Sequence, residues 1–368
     1  MTEISIPFSH DDYTVGWICA LPETELAVSG AMLDKRHAVL PSVDSGDTTT
    51  YLLGRIGPHN VVMACCPDQE TGKVSAALVA KDMLRSFKAV RFCLMVGIGG
   101  GVPCHKFNEN EENLDGDFEY WDSQEGRDIR LGDVVIGSET KTTPAVFQFD
   151  FGKSLHGGKW EASGTLNGPP DVVRSAISQL KGEHIRKGTH TLSKHLSTMT
   201  KENPGLARNF RYQGVEKDQL FKPEVEHPSG AESCKGCCDS SNANVVQRKK
   251  RKDPLVPVLH YGTIGSADQV MKDPKKRDAL YKEYKIICFE MEAAGRTLRS
   301  LVSLYLILTP VNRSYEKISL PHYSRNLRLF GFAQEQNMAA LCSGDSSSVC
   351  EGTSFMHGWS RCVAHATD

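Results

Sequence analysis

Short apolar runs of strand length alternate along this chain with segments whose apolar residues recur at the helical period. Tyr13 to Ala20 and Val90 to Val96 are strand-like, and Lys73 to Phe87 lies between them with apolar residues at helical spacing. Helices that connect successive strands in this way are typical of parallel sheets. The alternation therefore predicts an α/β fold whose mainly parallel sheet is covered by helices.

Length and charge limit the class of protein and of partner. The 368 residues are 39% hydrophobic, which is enough for a packed core in one large or two ordinary domains. Because 43 basic residues are balanced by 45 acidic ones, the charge does not favour nucleic acid or an anionic membrane as a partner. A small-molecule partner is predicted.

The start of the chain and its cysteines favour an intracellular protein. Met1 to Asp12 does not have the pattern of a signal peptide, and no apolar run approaches the roughly 20 residues that span a bilayer. Several cysteines, such as Cys19, Cys93 and Cys288, lie inside apolar runs and predict buried, reduced thiols. The chain is therefore predicted to be soluble and cytoplasmic.

The remaining segments add strands and helices around one long irregular stretch. Strands are predicted at 49–53, 60–66, 133–137, 145–151, 256–264 and 285–289, and helices at 169–180 and 274–284. The segment 181–255 is polar and interrupted by prolines, which predicts a long irregular insert. Its basic run Arg248 to Lys252 predicts a solvated loop, with a nuclear import signal or a phosphate contact as alternatives.

A glycine-rich run, Gly97 to Gly101, follows the predicted strand Val90 to Val96. Backbone amides without side chains can approach an anion or a sugar closely, which predicts a binding loop. A dinucleotide fingerprint would need glycine in place of Val102, so that type of site is not supported. A plain tight turn is the alternative.

Two carboxylates, Glu290 and Glu292, follow the apolar run Ile286 to Phe289 at the predicted end of a buried strand. Ligands of open α/β sheets bind outside the carboxyl ends of the strands. Carboxylates at this position either cap the following helix or bind a ligand, and the local pattern does not decide between these roles.

A possible metal cluster lies in the insert, where His227, Cys234, Cys237 and Cys238 are close in sequence. Their spacing fits no regular zinc finger, and the surrounding segment is rich in serine and glycine. Free thiols in a loop, without a metal, are predicted.

Four separated segments follow one another in a recognisable order: Gly16–Pro22, Val96–Val102 with the later Leu131–Val135, His260–Asp273 and Phe289–Gly295. Together they resemble the nucleoside phosphorylase/nucleosidase superfamily, in the form found at the N-terminus of many fungal multidomain proteins similar to innate immune receptors. The resemblance implies a three-layer α/β/α nucleoside phosphorylase-like domain over residues 13–297, with a central mixed, mainly parallel sheet.

The same resemblance implies cleavage of the N-glycosidic bond in a purine nucleoside or nucleotide. The reaction would be phosphorolysis by a glycosyltransferase or hydrolysis by a nucleosidase, in nucleoside metabolism or in a defence that depletes nucleotides. No cofactor is implied, although a phosphorylase takes phosphate as co-substrate. Family members commonly form dimers, trimers or hexamers, so a homo-oligomer is implied as well.

The resemblance also assigns roles to single residues. Glu292 matches the carboxylate that binds the ribose hydroxyls, and Met291 matches the residue that packs on the sugar. Gly99, Gly100 and Gly101 match the loop beside the nucleophile. Val270 and Met271 match the residues that line the base pocket.

The nucleophile is assigned by the same comparison. Glu25 matches the glutamate that activates water in the nucleosidase branch, and Glu23 is the alternative because this turn carries one extra residue. Phosphorylases hold phosphate with an arginine just before the glycine loop, where this chain has Met95, and Arg91 lies four residues earlier. Backbone glycines bind phosphate less firmly than a bidentate arginine, so water is the predicted nucleophile.

The chain departs from the family pattern after Gly295. The family continues with a helix, a strand and a segment whose aspartate protonates the base, whereas here Leu301 to Leu308 can supply a strand but Thr309 to Asn312 contains no aspartate. Residues 298–368 are predicted to be an atypical tail that resembles translated intron or frame-shifted sequence, a gene-model artefact.

Loss of a general acid commonly costs about 10²–10⁴ in rate. The alternative function is therefore a catalytically impaired nucleoside-binding or interaction module. A product that does not fold stably is a further alternative.

Overall fold

The computed structural model has a central sheet with helices on both faces. It describes residues 8–41, 44–103, 128–156, 160–163, 166, 168–187, 190–210, 214–226, 240–241, 243–248, 250–295 and 305–310. The strands are β1 Val15–Cys19, β2 Lys35–Arg36, β3 Tyr51–Ile56, β4 His59–Cys65, β5 Phe92–Gly101, β6 Val134–Gly137, β7 Val146–Gln148, β8 Gly152–Ser154, β9 Trp160–Ala162, β10 Leu259–Ser266, β11 Ile286–Glu290 and β12 Tyr305–Pro310. The helices are α1 Ala27–Ala31, α2 Lys73–Ser86, α3 Asp171–Lys187, α4 His190–Glu202, α5 Pro204–Asn209 and α6 Pro274–Tyr284, with 3-10 turns at His10–Asp12 and Val215–Lys217 and a π-helical turn at Pro22–Leu26.

The main sheet has the strand order β11-β10-β6-β12-β5-β1-β4-β3-β2, with β7 paired to β10. Most pairings are parallel: β1 with β4 and β5, β10 with β6, β7 and β11, and β12 with β5. β11 also pairs antiparallel with the last residues of β5, so the sheet curls at that edge. The predicted mixed, mainly parallel sheet is confirmed.

Strand β1 shows how the sheet separates two helical layers. Val15, Trp17 and Cys19 belong to a core cluster that also contains side chains of α1, α3 and α4. Ile18 lies on the other face, in a cluster with side chains of α2. Because a strand presents successive side chains to opposite faces, both faces of β1 are buried under helices, as the predicted three-layer α/β/α arrangement requires.

The glycine-rich run differs from its sequence prediction. Gly97 to Gly101 form the second half of β5, where Gly97 to Gly99 pair with β12 and the last two glycines pair with β11. Neither a loop nor a tight turn is present there. Pairing first with β12 and then with β11 extends the strand, and this long-range pairing cannot be seen in the local sequence.

Part of the predicted irregular insert is helical. α3 continues to Lys187, and α4 and α5 follow it. In α4, Leu192, Leu196 and Met199 have the spacing of one helix face and pack on the core. The prediction of irregular structure is therefore wrong for 181–187 and 190–209, because the polar composition and Pro204 obscured this periodicity.

Strand β12 lies within the segment predicted to be an atypical tail. It pairs parallel with β5 from Tyr305 to Pro310, and antiparallel with β6 through Ile307 and Leu308. Six residues of the predicted tail therefore occupy an interior position of the sheet.

A buried ion network ties the basic run to the amino ends of β6 and β10. Both Asp133 carboxylate oxygens accept hydrogen bonds from Arg251 at 2.6 Å, and His260 Nε2 lies 3.0 Å from Oδ2. Arg248 forms ion pairs with Asp128 at 3.4 Å and Asp218 at 3.0 Å. The prediction of a solvated loop is therefore wrong for these two arginines, whose side chains are largely buried in ion pairs.

Candidate functional site

A pocket of about 320 Å³ opens at the carboxyl ends of the central strands. It is lined by residues 20–25 after β1, 98–100 in β5, 269–271 after β10, 289–292 at the end of β11, and Asp68, Gln69 and Thr71 after β4. This edge is where α/β sheets bind ligands, and the volume falls in the range of small-molecule sites.

All but one of the site residues predicted from the sequence line this pocket: Glu25, Gly99, Gly100, Val270, Met271, Met291 and Glu292. Gly101 is the exception, since it lies outside the lining and pairs with Cys288. The fold thus brings residues from four distant segments around one cavity, while the roles given to them remain predictions.

A π-helical turn directly after β1 positions Glu25. The Ala27 amide donates to the Pro22 carbonyl, five residues earlier, which makes this turn wider than an α-helical one. In this turn Thr24 and Glu25 are buried, whereas Glu23 is exposed at the edge of the pocket. Such turns are rare and occur frequently at functional sites.

Three backbone amides hold the Glu25 carboxylate, which is only 2% exposed. Oε2 accepts from Ala20 at 2.6 Å and from Leu21 at 3.1 Å, and Oε1 accepts from Ile98 at 2.9 Å. Burial raises the pKa of Glu25 to about 7, the charge of Glu292 adds to the rise, and the three amides oppose it. A carboxylate that titrates near neutral pH can accept a proton from water.

Glu292 lies against the N-terminus of α2. Its Oε1 accepts from the Gly72 amide at 3.1 Å, and its Oε2 accepts from the Met291 amide at 3.2 Å. The helix carries partial positive charge at this end, which favours the ionised carboxylate. Gly72 has a φ of 99°, a conformation that side chains disfavour, and this turn presents its amide to Glu292.

Glu290 caps the segment that follows β11. Its Oε2 accepts from the amides of Glu292 at 2.7 Å and Ala293 at 2.8 Å. Burial raises the pKa of Glu290 to about 8 and the charge of Glu292 adds to the rise, while the Ser266 hydroxyl and the two amides oppose it. Residues 291–294 form a bend and a turn, so Glu290 binds the amides of that turn, and it also lines the pocket.

Every ionisable residue along the described pocket wall is acidic. The set comprises Glu23, Glu25, Asp68, Glu290 and Glu292, and no described lysine, arginine or histidine lines the cavity. A bound anion would meet repulsion from this wall, whereas a neutral or cationic ligand would not.

The structure offers no described cation for phosphate at this site. Arg91 precedes β5 at its amino end and is separated from Ile98 by seven residues, or about 23 Å of strand. The Lys73 ammonium is bound to Asp150 at 2.6 Å and to Asp268 at 3.2 Å. The first amides of α2 are occupied as well, because Lys73 N–H donates to Asp268 at 3.0 Å and Gly72 N–H donates to Glu292.

Sequence reasoning missed several residues of the pocket wall. Asp68, Gln69 and Thr71 form the β4–α2 connection, and Gln69 has a left-handed φ of 64°. Thr24 is 8% exposed, and its hydroxyl has no hydrogen-bond partner among the described residues. The rule that ligands bind beyond strand ends could have indicated the β4–α2 connection, whereas nothing in the local sequence signals the burial of Thr24.

In the described chain, no three His, Cys, Asp or Glu side chains are arranged to bind a metal ion. The predicted thiol cluster of His227, Cys234, Cys237 and Cys238 lies outside the described residues. None of the described helices is both long and apolar enough to cross a membrane.

No family model matches this chain. A nucleotide-binding leucine-rich repeat (NLR)-like protein of Hyaloscypha variabilis is 39% identical over 290 residues, which cover 77% of this chain and 25% of the relative. The chain thus spans about a quarter of the length of the curated relative that it matches.

Among solved structures, the chain aligns with a 5′-methylthioadenosine/S-adenosylhomocysteine nucleosidase of Neisseria meningitidis at a TM-score of 0.46 and 17% identity, over 89% of this chain and 97% of the other. It aligns with a futalosine hydrolase of Helicobacter pylori at a TM-score of 0.47 and 13% identity, over 90% of this chain and 98% of the other. TM-scores and identities as low as these support no inference about the chemistry of this chain.

Proposed function

We propose that this chain hydrolyses the N-glycosidic bond of a purine nucleoside in the pocket at the strand ends. One observation carries the proposal. Of the segments that resemble one superfamily of nucleoside-cleaving enzymes, 16–22, 96–102, 260–273 and 289–295 all contribute side chains or backbone to this pocket, and 131–135 does not. The cavity of about 320 Å³ suits a nucleoside, which is a small ligand with a flat base and a polar sugar.

The proposed reaction develops positive charge on the sugar as the bond from C1′ to the base nitrogen lengthens. Carboxylates around the sugar stabilise that charge. In this reaction Glu25 accepts a proton from the water that attacks C1′, and Glu292 accepts hydrogen bonds from the ribose hydroxyls. Met291 packs on the sugar, and Val270 and Met271 contact the base.

Water is the proposed nucleophile because the site repels anions. The described wall contains five acidic residues and no basic one, and the α2 amides next to it already bind carboxylates. The same charges disfavour a substrate with several phosphates, so an uncharged nucleoside is proposed in preference to a nucleotide.

The chain is similar to one part of a longer NLR-like protein, and this similarity suggests a multidomain setting for the activity. We propose that the domain acts within a multidomain protein, where base release serves nucleoside metabolism or defence.

The test is to incubate the purified chain with adenosine, inosine, methylthioadenosine or ATP, with and without phosphate, and to measure free base by chromatography. We expect base release from an uncharged nucleoside that does not depend on phosphate. Strict dependence on phosphate would contradict hydrolysis, and a preference for ATP would contradict the uncharged substrate. Ligand-induced thermal stabilisation without any product would instead support a binding module without turnover.

A further inference from the structure

Helix α2 begins beside the pocket without a capping side chain of its own. Its N-cap residue is Gly72, and glycine has no side chain that could accept the first amide hydrogens of the helix. Two distant segments supply the acceptors: Glu292 Oε1 accepts from the Gly72 amide at 3.1 Å, and Asp268 Oδ1 accepts from the Lys73 amide at 3.0 Å. The start of α2 is therefore bound both to the segment after β11 and to the segment after β10.

An ion network holds Asp268 at this position. Its Oδ2 lies 3.2 Å from the Lys73 ammonium, and its own amide donates to Asp150 Oδ2 at 3.0 Å. That Asp150 oxygen also lies 2.6 Å from the Lys73 ammonium, and Asp150 Oδ1 accepts from the Gln148 side chain at 2.8 Å. Hydrogen bonds between charged groups are shorter and stronger than neutral ones. Asp268 is therefore fixed relative to α2, although 52% of its side chain is exposed.

Close packing couples this network to Glu292. A Cβ atom on Gly72 would lie only 3.0 Å from Asp268 Oδ1. A Cβ atom on Gly295 would lie 2.7 Å from the Lys73 carbonyl oxygen. The first turn of α2 is thus in contact with Asp268 and with the segment that carries Glu292. A displaced first turn would carry the Gly72 amide away from Glu292 Oε1.

We propose that Asp268 is a positioning residue for the recognition of the ribose hydroxyls. By binding the amide and the ammonium of Lys73, it fixes the first turn of α2, and this turn orients the Glu292 carboxylate through the Gly72 amide. A carboxylate that is already held in place loses less freedom when a ligand binds. Asp268 does not line the pocket itself, so it acts through Glu292. The inference rests on the proposed function, since it assumes that Glu292 accepts the ribose hydroxyls.

Two other roles for Asp268 would give different binding results. The residues that follow it, 269–271, line the part of the pocket where the base is proposed to bind. An effect through these residues would weaken binding of the base, and a purely structural effect would weaken every ligand equally. An effect through Glu292 depends on the ribose hydroxyls. The preference for a nucleoside that carries those hydroxyls therefore separates the proposed role from the other two.

The test measures this hydroxyl preference by isothermal titration calorimetry with adenosine and with 2′,3′-dideoxyadenosine, which carries the same base without either hydroxyl. Glu25→Gln serves as the background, so that adenosine is not consumed during the titration, and Asp268→Ala is added to it. The ratio of the two dissociation constants gives the preference. We expect Asp268→Ala to reduce the preference about ten-fold, because adenosine binding weakens and 2′,3′-dideoxyadenosine binding does not. Asp268→Asn, whose Oδ1 can still accept the Lys73 amide, should retain part of the preference.

The matched control is Asp273→Ala in the same background. Asp273 is the N-cap of α6, and it accepts from the amides of Lys275 at 2.9 Å and Lys276 at 3.2 Å. It belongs to the same connection between β10 and α6 as Asp268, and it does not line the pocket either. Its loss should lower the Tm, as loss of a helix cap does, and leave the hydroxyl preference unchanged.

An unchanged hydroxyl preference in Asp268→Ala, whether both ligands bind more weakly or neither does, would overturn the positioning role. If the wild-type chain releases base while the preference stays unchanged in the variant, the inference fails and the proposed function stands. A wild-type chain that neither binds nor cleaves adenosine, inosine or methylthioadenosine would overturn both.

Discussion

Glu23 and Glu25 are two residues apart on one turn, yet only Glu25 is buried with both carboxylate oxygens bound by amides. The resemblance to the nucleosidase branch assigned the water-activating role to Glu25 and kept Glu23 as the alternative. Both residues lie in the π-helical turn that follows β1. Local sequence could not predict this hydrogen-bond pattern, which depends on how the turn packs against β5.

The two glutamates make a matched pair for mutation. We expect Glu25→Gln to lower the rate of base release by about 10²–10⁴, because an amide cannot accept a proton from water. Glu23→Gln should change the rate only a few-fold, as is typical of an exposed side chain. Chromatographic initial rates at saturating nucleoside measure both effects, and a larger loss in Glu23→Gln would reverse the assignment.

Burial of Glu290 makes stability depend on pH. Its folded-state pKa is raised from the ordinary 4.5 to about 8, so the folded chain keeps a proton that the unfolded chain releases between these values. The stabilisation is complete below the lower value and is lost as pH rises through the higher one. We expect the wild-type Tm to fall from about pH 5 to about pH 8.5, and to fall less in Glu290→Gln. Calorimetric curves that run parallel for the two proteins would contradict this expectation.

At the scale of elements, β5 joins the core to the pocket. Its first residues are large and buried, and its last residues are mostly glycine. A Cβ atom on Gly97 would lie 2.7 Å from Glu25 Oε1. Because Gly97 has no Cβ atom, the Glu25 carboxylate fits against β5. The requirement for glycine at this position comes from the packing of the π-helical turn on β5.

Gly97→Ala tests that packing. We expect the added methyl group to displace the Glu25 carboxylate and to reduce base release at least ten-fold, together with a lower Tm. Gly182→Ala is the control, since an added Cβ in α3 meets no atom within 4 Å and alanine favours helix by about 0.5–1 kcal/mol. Wild-type activity in Gly97→Ala would show that Glu25 does not need this space.

The elements also show which sequence signals were sufficient. Apolar runs such as the one in β1 and the helical spacing in α2 predicted the corresponding strand and helix, because burial alone specifies them. The glycine-rich half of β5 and the polar helix α4 were missed, because tertiary contacts override weak local preference there.

At the scale of the whole molecule, the carboxyl ends and the amino ends of the parallel strands have different roles. The carboxyl ends form the pocket, whereas the amino ends of β6 and β10 are joined by the buried network around Asp133. Asp133 and Arg251 are separated by 118 residues, and neither has a sequence pattern that points to the other. The sequence could predict a strand at 133–137 and a basic run at 248–252, but not the ion pairs that join them.

Asp133→Asn tests how far the molecule depends on that network. Asp133 is fully buried, and its pKa is held well below the usual range by Arg251 and His260 despite the opposing effect of burial. Removing its charge leaves Arg251 buried without its bidentate partner, which typically costs about 3–5 kcal/mol. We expect denaturant unfolding to show a loss of this size.

The control for this variant is Glu183→Gln, which removes a partly exposed carboxylate paired with the exposed Arg186 and Lys187 on α3. It should shift the unfolding midpoint very little, because water screens exposed ion pairs. If Asp133→Asn unfolded at the same denaturant concentration as this control, the connection between the basic run and the sheet would contribute no net stability. A large difference between the two would instead show that the end of the sheet opposite the pocket stabilises the strands from which the site is built.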